Sequence, residues 1–178
     1  MPVPVRITIA IDEDMLEILN KMKEKFKISQ SELIRRALKF YNDYYEIIQQ
    51  VSPDQLITYL EMLPNGEHVI LDIDHWLIML KLVENIDEFW KVHEEIAIAH
   101  AETLPRQLKS PLELLKRLEA CNFFSLSIES GNNFTLILGS DLPKKFLRIF
   151  IEKVVESMGY EVEIKEGISK LRIKLIKK

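Results

Sequence analysis

Seven residues near the start of the chain constrain it most. Val5, Ile7, Ile9 and Ile11 alternate with Arg6, Thr8 and Ala10, the period-two pattern of a strand with one buried and one open face. No second strand-like run occurs before Glu67. Nothing nearby in sequence can pair with this stretch, and a lone exposed edge is unstable and prone to aggregate. Its simplest partner is a second copy of itself. A two-fold antiparallel ribbon sends the four apolar side chains of each chain to one face and Arg6, Thr8 and Ala10 to the other. That open face is the candidate working surface.

Two helices follow. Asp12 is placed to cap the first, with Glu13 and Asp14 in its opening turn and Lys21, Lys23 and Lys25 toward its end, as the helix dipole favours. Met15, Ile18, Leu19, Met22 and Phe26 share one stripe, so the helix is amphipathic. Phe26-Lys27-Ile28 breaks the pattern, and Ser29-Gln30-Ser31-Glu32 has the spacing of a capping box, with Ile28 and Leu33 as its staple. The second helix carries Leu33, Ile34, Ala37, Leu38, Tyr41, Tyr45 and Ile48 at its apolar positions and runs to about Gln49.

Strand, helix and capped helix in this order, over residues 5–45, resemble the ribbon-helix-helix DNA-binding family of the Arc, MetJ and CopG type. The resemblance implies a homodimer whose ribbon enters the major groove of double-stranded DNA, with Arg6, Thr8 and Ala10 facing the bases. It also implies that the start of the second helix, Ser29, Gln30 and Ser31, grips a phosphate through backbone amides; Lys27 stands just before it. Val5, Ile7, Ile9, Ile11, Leu33, Ile34, Ala37 and Leu38 are then the expected dimer core.

Elementary chemistry points the same way. A major groove admits a two-stranded ribbon, an arginine can bond bidentately to guanine, and a threonine can meet a thymine methyl or a base edge. A helix N-terminus offers free N–H groups to an anion. Ala10, where the family places a third reader, can give only a methyl contact, and the arm Met1-Pro2-Val3-Pro4 holds no basic residue. The reading face is therefore thin, which predicts modest affinity or cooperative binding, with the remainder of the chain contributing by oligomerising or by spacing the ribbons.

Charge adds little. The 178-residue chain has 24 Lys+Arg and 28 Asp+Glu, a net charge of −4. Residues 1–45 hold 8 basic and 7 acidic side chains, leaving 16 and 21 for the rest, so the candidate DNA-binding segment is a weak source of counterion release. Cys121 is the only cysteine, which excludes an internal disulfide and suits a reducing compartment. The N-terminus lacks the basic start and apolar run of a signal peptide, and no apolar run is long enough to span a bilayer. The expectation is a cytoplasmic protein without membrane association.

Beyond residue 50 the pattern changes. Ser52-Pro53-Asp54-Gln55 is a second capping box, opening a helix to about Leu63; Pro64-Asn65-Gly66 is a turn. Glu67–Ile73 reads as a buried strand, with Asp74 capping an almost wholly apolar helix, His75–Val83, expected at the centre of a second core. Asp87–Thr103 reads as a helix ended by Pro105, and Ser110-Pro111-Leu112-Glu113 caps another to about Cys121. Phe123–Glu129 and Phe134–Gly139 form a hairpin around Ser130–Asn133. Pro143 and Gly159 bound a helix, and Tyr160–Lys165 and Leu171–Ile176 form a second hairpin around Glu166-Gly167. The fold class is α+β: a ribbon-helix-helix domain, residues 1–50, then an α+β regulatory or oligomerisation domain, residues 51–178, of about five strands ending β-β-α-β-β.

The function expected is a homodimeric, sequence-specific transcriptional regulator of the repressor kind, with the second domain sensing a small-molecule effector or building a tetramer. No phosphate-binding loop, dinucleotide fingerprint, nucleophile elbow or zinc-protease pair is present; no enzyme activity, cofactor or catalytic residue is expected. Two alternatives stay open. One is an antitoxin-like module that neutralises a partner protein. The other is a metal-responsive regulator using histidines of the second domain, since His93 and His100 lie two helical turns apart and His68 and His75 lie near Asp72 and Asp74. The clustered His-x-His and cysteine ligands of the family's nickel-responsive member are missing, so no metal site is assigned. Trp76, Phe89, Trp90, Phe123, Phe124 and Phe134 are candidates either for a ligand pocket or for plain core.

Overall fold

Alternation along the last strand shows where the larger core lies. In β4 (Lys170–Lys177), Leu171, Ile173 and Leu175 are buried and Lys170, Arg172 and Lys174 are exposed, as a sheet covered on one face requires. The computed structural model describes residues 5–65 and 68–177. The chain divides into two compact units, Met1–Val51 and Ser52–Lys178, and the expectations for Met1–Pro4 and for the turn and strand start at Gly66 and Glu67 lie outside the described residues.

In the first unit, Asp12 accepts the Met15 amide at 2.8 Å and opens α1 (Glu13–Phe26), which stops where Lys27 takes a left-handed conformation, φ 52°. Ser29 then caps α2 (Gln30–Ile48). Residues 5–12 precede α1 and join no sheet among the described residues. Between residues 5 and 51 only Leu33 is buried; one copy of this segment does not close a core.

The second unit is built around a four-stranded antiparallel sheet of order β1-β2-β4-β3, with β1 Ser125–Ser130, β2 Asn133–Ile137 and β3 Tyr160–Gly167. Phe134 pairs with Ile173 and Leu136 with Leu171, so both strands send these residues to one face. Helix α7 (Lys144–Ser157) crosses from β2 to β3 and covers that face with Leu147, Ile151, Val154 and Val155, while α6 (Pro111–Ala120) adds Leu114, Leu115 and Leu118. Each such leucine or isoleucine taken fully out of water stabilises the unit by about 1.5–3 kcal/mol. Gly159 ends α7 at φ +84°, the left-handed stop that glycine adopts without strain.

Ahead of the sheet come α3 (Pro53–Met62), α4 (Ile73–Val83) and α5 (Asp87–Gln107). The Ser52/Gln55 box at the start of α3 forms in both directions, each bond 3.1 Å. Fully buried Ala97 lets α5 lie close against α7, and Glu94 and Lys153 bridge the two helices at 2.6 Å.

Several expectations for this unit are corrected. Residues 68–72 form no strand and are exposed, and among the described residues the sheet has four strands rather than five; a run of continuous apolar residues does not itself distinguish a strand from a helix start or an uncovered segment. Asp72, not Asp74, caps α4, accepting the Asp74 and His75 amides at 3.0 and 3.3 Å. Nor is α4 central. Trp76, Leu77, Leu80 and Val83 turn inward, with Leu80 alone buried, while Ile73, Ile78, Met79 and Leu82 are exposed. Pro105 lies inside α5, which continues to Gln107 because Leu104 and Leu108 pack on the core; the ring costs a bond, not the helix. The last hairpin turns at Ile168-Ser169, since Gly167 still pairs with Lys170.

Candidate functional site

The proposed reading residues Arg6, Thr8 and Ala10 are exposed, and so are their apolar neighbours Val5, Ile7, Ile9 and Ile11. Ile7 keeps 80% of its surface. The apolar stripes of the following helices are similarly uncovered at Met15, Ile18, Met22 and Phe26 of α1 and at Leu38, Tyr41 and Tyr45 of α2, while Leu19 and Ile34 are half-buried and Ala37 is exposed. Large exposed apolar patches on a protein commonly mark interaction surfaces.

At the head of α2 the local chemistry is explicit. Ser29 Oγ accepts the Glu32 amide at 3.2 Å, and the first intrahelical bond runs from the Leu33 amide to the Ser29 carbonyl at 2.9 Å. The Gln30 and Ser31 amides precede that first bond and point out of the helix end. Unpaired amides at the positive end of a helix dipole favour an anion. Ser29, Gln30, Ser31 and Lys27 are all exposed.

The expected capping box is only half formed. Instead of returning to the Ser29 amide, Glu32 accepts from Arg35 Nη2 at 2.8 Å and Nε at 3.2 Å, and from Arg36 Nε at 2.9 Å. The Arg35 bond first, then that of Arg36, holds the Glu32 carboxyl below the usual carboxylate range. One carboxylate facing two guanidiniums leaves a local charge of +1 beside the free amides. Arg36 was absent from the sequence-derived candidates; its readable signal is the i, i+3 and i, i+4 spacing from Glu32 to Arg35 and Arg36.

The histidines of the second unit do not gather. Among the described residues no three His, Cys, Asp or Glu side chains are placed to hold a metal ion. His93 is 5% exposed, donates from Nε2 to the Phe146 carbonyl at 3.0 Å and stacks on the Phe146 ring at 3.9 Å. Burial pushes its pKa down. His75 lies beside Asp72, 3.4 Å apart at the surface. Of the six aromatic candidates, Trp76 and Phe123 line a cavity of about 750 Å³ and are joined there by Phe146 and Phe150; Phe89, Trp90, Phe124 and Phe134 do not line it. Cys121 also lines it, its thiol pushed up by burial.

Residues 5–45 match the family model of the ribbon-helix-helix proteins, copG family, a family of DNA-binding proteins that dimerise. The match ends before the second unit begins. No curated protein and no solved structure matches the chain. No helix among the described residues is long and apolar enough to cross a membrane.

Proposed function

We propose that the protein is a homodimeric, sequence-specific transcriptional regulator of the repressor kind, acting in the cytoplasm. Two copies of Val5–Ile11 pair antiparallel and lay Arg6 and Thr8 of each chain in the major groove, with Ala10 adding a methyl contact. The Gln30 and Ser31 amides and Lys27 hold the flanking phosphates, which fix the register of the ribbon rather than the sequence read. The observation that carries this reading is the exposure of apolar side chains along residues 5–11 and along α1 and α2, with Leu33 alone buried. A second copy would cover them, with Val5, Ile7, Ile9, Ile11, Leu33, Ile34, Ala37 and Leu38 as dimer core. Residues 1–50 are the DNA-binding domain in this proposal, and residues 51–178 regulate it by sensing a small molecule or by joining dimers into a tetramer.

The test is a gel shift against genomic fragments with the wild-type chain and Arg6→Ala/Thr8→Ala. Losing both readers removes four base contacts from a dimer, each good one worth about 1–3 kcal/mol of discrimination, so specific shifts disappear while the dimer persists in sedimentation. Undiminished specific binding by the double variant overturns the ribbon assignment. Phosphate contacts, by contrast, appear as salt dependence shared by all sequences.

A further inference from the structure

We propose that the cavity of the second unit is a binding site for a neutral, predominantly apolar small molecule of aromatic or polycyclic type, covered by the segment 68–72. Its volume, about 750 Å³, lies within the range of drug-sized ligand sites. The wall is built from core elements: Trp76 of α4 stands edge-on to Phe123 at 5.2 Å and to Phe146 of α7 at 5.9 Å. Such edge-to-face rings leave flat apolar faces for a planar guest.

Charge decides the ligand class. The carboxylate and guanidinium among the lining side chains, Glu61 and Arg117, are paired with each other at 3.1 Å, so the lining offers no uncompensated charge from them. Burial raises the Tyr59 phenol and the Cys121 thiol and lowers the His93 imidazole, keeping all three neutral near pH 7. Apart from these three, the Glu61–Arg117 pair and the imidazoles of His68 and His100, the described lining holds no other ionisable side chain, so an ionic guest would leave water for a wall poor in counter-charge, at a cost a neutral one avoids.

The mouth supplies the second argument. Val69 and Ile70 line the cavity yet are 88% and 70% exposed. Ile96 of α5, also lining, is half exposed. An apolar rim around an apolar hollow is surface that an apolar guest covers, and residues 68–72, which pair with no strand, are placed to fold over it. Thr103 and Gln107 on α5 offer hydrogen bonds at the same site.

The inference deepens the sensing role proposed for residues 51–178 and rests on it, but binding is read without DNA. The full chain is titrated with Nile red, a neutral solvatochromic dye, and with the anionic dye 1-anilinonaphthalene-8-sulfonate. Nile red saturates at one per chain with a blue-shifted emission, and the anion binds at least about tenfold more weakly, as a missing counter-charge dictates. Ile70→Ser weakens Nile red about tenfold by removing apolar cover, and Ile96→Trp, filling the mouth, abolishes saturation. Ile168→Ser, at a 90% exposed position outside the cavity, binds as the wild type does. Circular dichroism melts confirm that each variant folds. The proposal is overturned if Nile red does not saturate at one per chain, if Ile168→Ser weakens it as much as Ile70→Ser, or if the anion binds equally well. A chain that binds dye but not DNA overturns the DNA reading alone; one that binds DNA but not dye overturns this one alone.

Discussion

Ile7→Ser separates a chain that works alone from one that needs its copy. In a single chain Ile7 is 80% exposed, and a substitution at such a surface position ordinarily changes stability by less than about 0.5 kcal/mol. In the proposed ribbon the same side chain would lie in the dimer core. Covering four fifths of an isoleucine stabilises by roughly 1.2–2.4 kcal/mol, from about 1.5–3 for complete burial. Two-fold symmetry counts every substitution twice, so the dimer loses roughly 2–5 kcal/mol and its dissociation constant rises by about thirtyfold to several thousandfold. Sedimentation velocity on a dilution series reads this directly, with Arg6→Ser as the comparison because its neighbour on the open face leaves the apolar side intact. Dissociation of Ile7→Ser within about threefold of the wild type would refute the ribbon. So would equal weakening by Arg6→Ser, which would mean that the strand's two faces are not distinguished.

Lys27→Gly sets stability against affinity. Glycine relieves the left-handed backbone at φ 52° and raises stability by about 1 kcal/mol, while the loss of two phosphate contacts per dimer lowers the slope of log affinity against log salt by about 2; thermal melts and salt titrations check the two effects. Glu32→Gln frees Arg35 and Arg36 from their carboxylate, so DNA binding tightens and its salt slope steepens in fluorescence anisotropy, the reverse of what loss of a structural pair alone would do. Acid weakens the second unit through His93. Its folded pKa lies below the ordinary 6.5 because of burial, so the unfolded chain takes up the proton first; stability is full above about pH 6.5, falls as pH drops toward the folded value and levels off below it. Melting temperature between pH 8 and 5 shows this slope, and His93→Gln flattens it.

The sequence was most readable where a local rule has a local cause. The caps at Asp12, Ser29, Ser52 and Ser110 each engage the amide three residues on, because a helix start is decided within one turn. The β-β-α-β-β order of residues 125–177 follows from alternation and from Gly131 and Gly159, both at positive φ. Arg35 and Arg36 were harder to place. Their role depends on Glu32 choosing guanidinium partners over the Ser29 amide, a competition between bonds of similar geometry that spacing alone leaves undecided. The cavity was less legible still, since its walls come from residues as far apart as Tyr59 and Phe150.

Helix α4 and Val5–Ile11 share one property: both carry more apolar surface than the single chain covers. For residues 5–11 the alternation fits one kind of neighbour, because a period of two matches another strand, and the proposed second copy would supply it. Residues 68–83 have no such period. Their apolar side chains run continuously from Val69 to Leu71 and then around most of a helix, a pattern equally fitting a buried strand, a central helix or the rim of a hollow. What separates these is the inward stripe of Trp76, Leu77, Leu80 and Val83, which leaves Val69 and Ile70 over the cavity and Ile78, Met79 and Leu82 outside. Apolar sequence therefore reports that something is to be covered, and only its period reports by what.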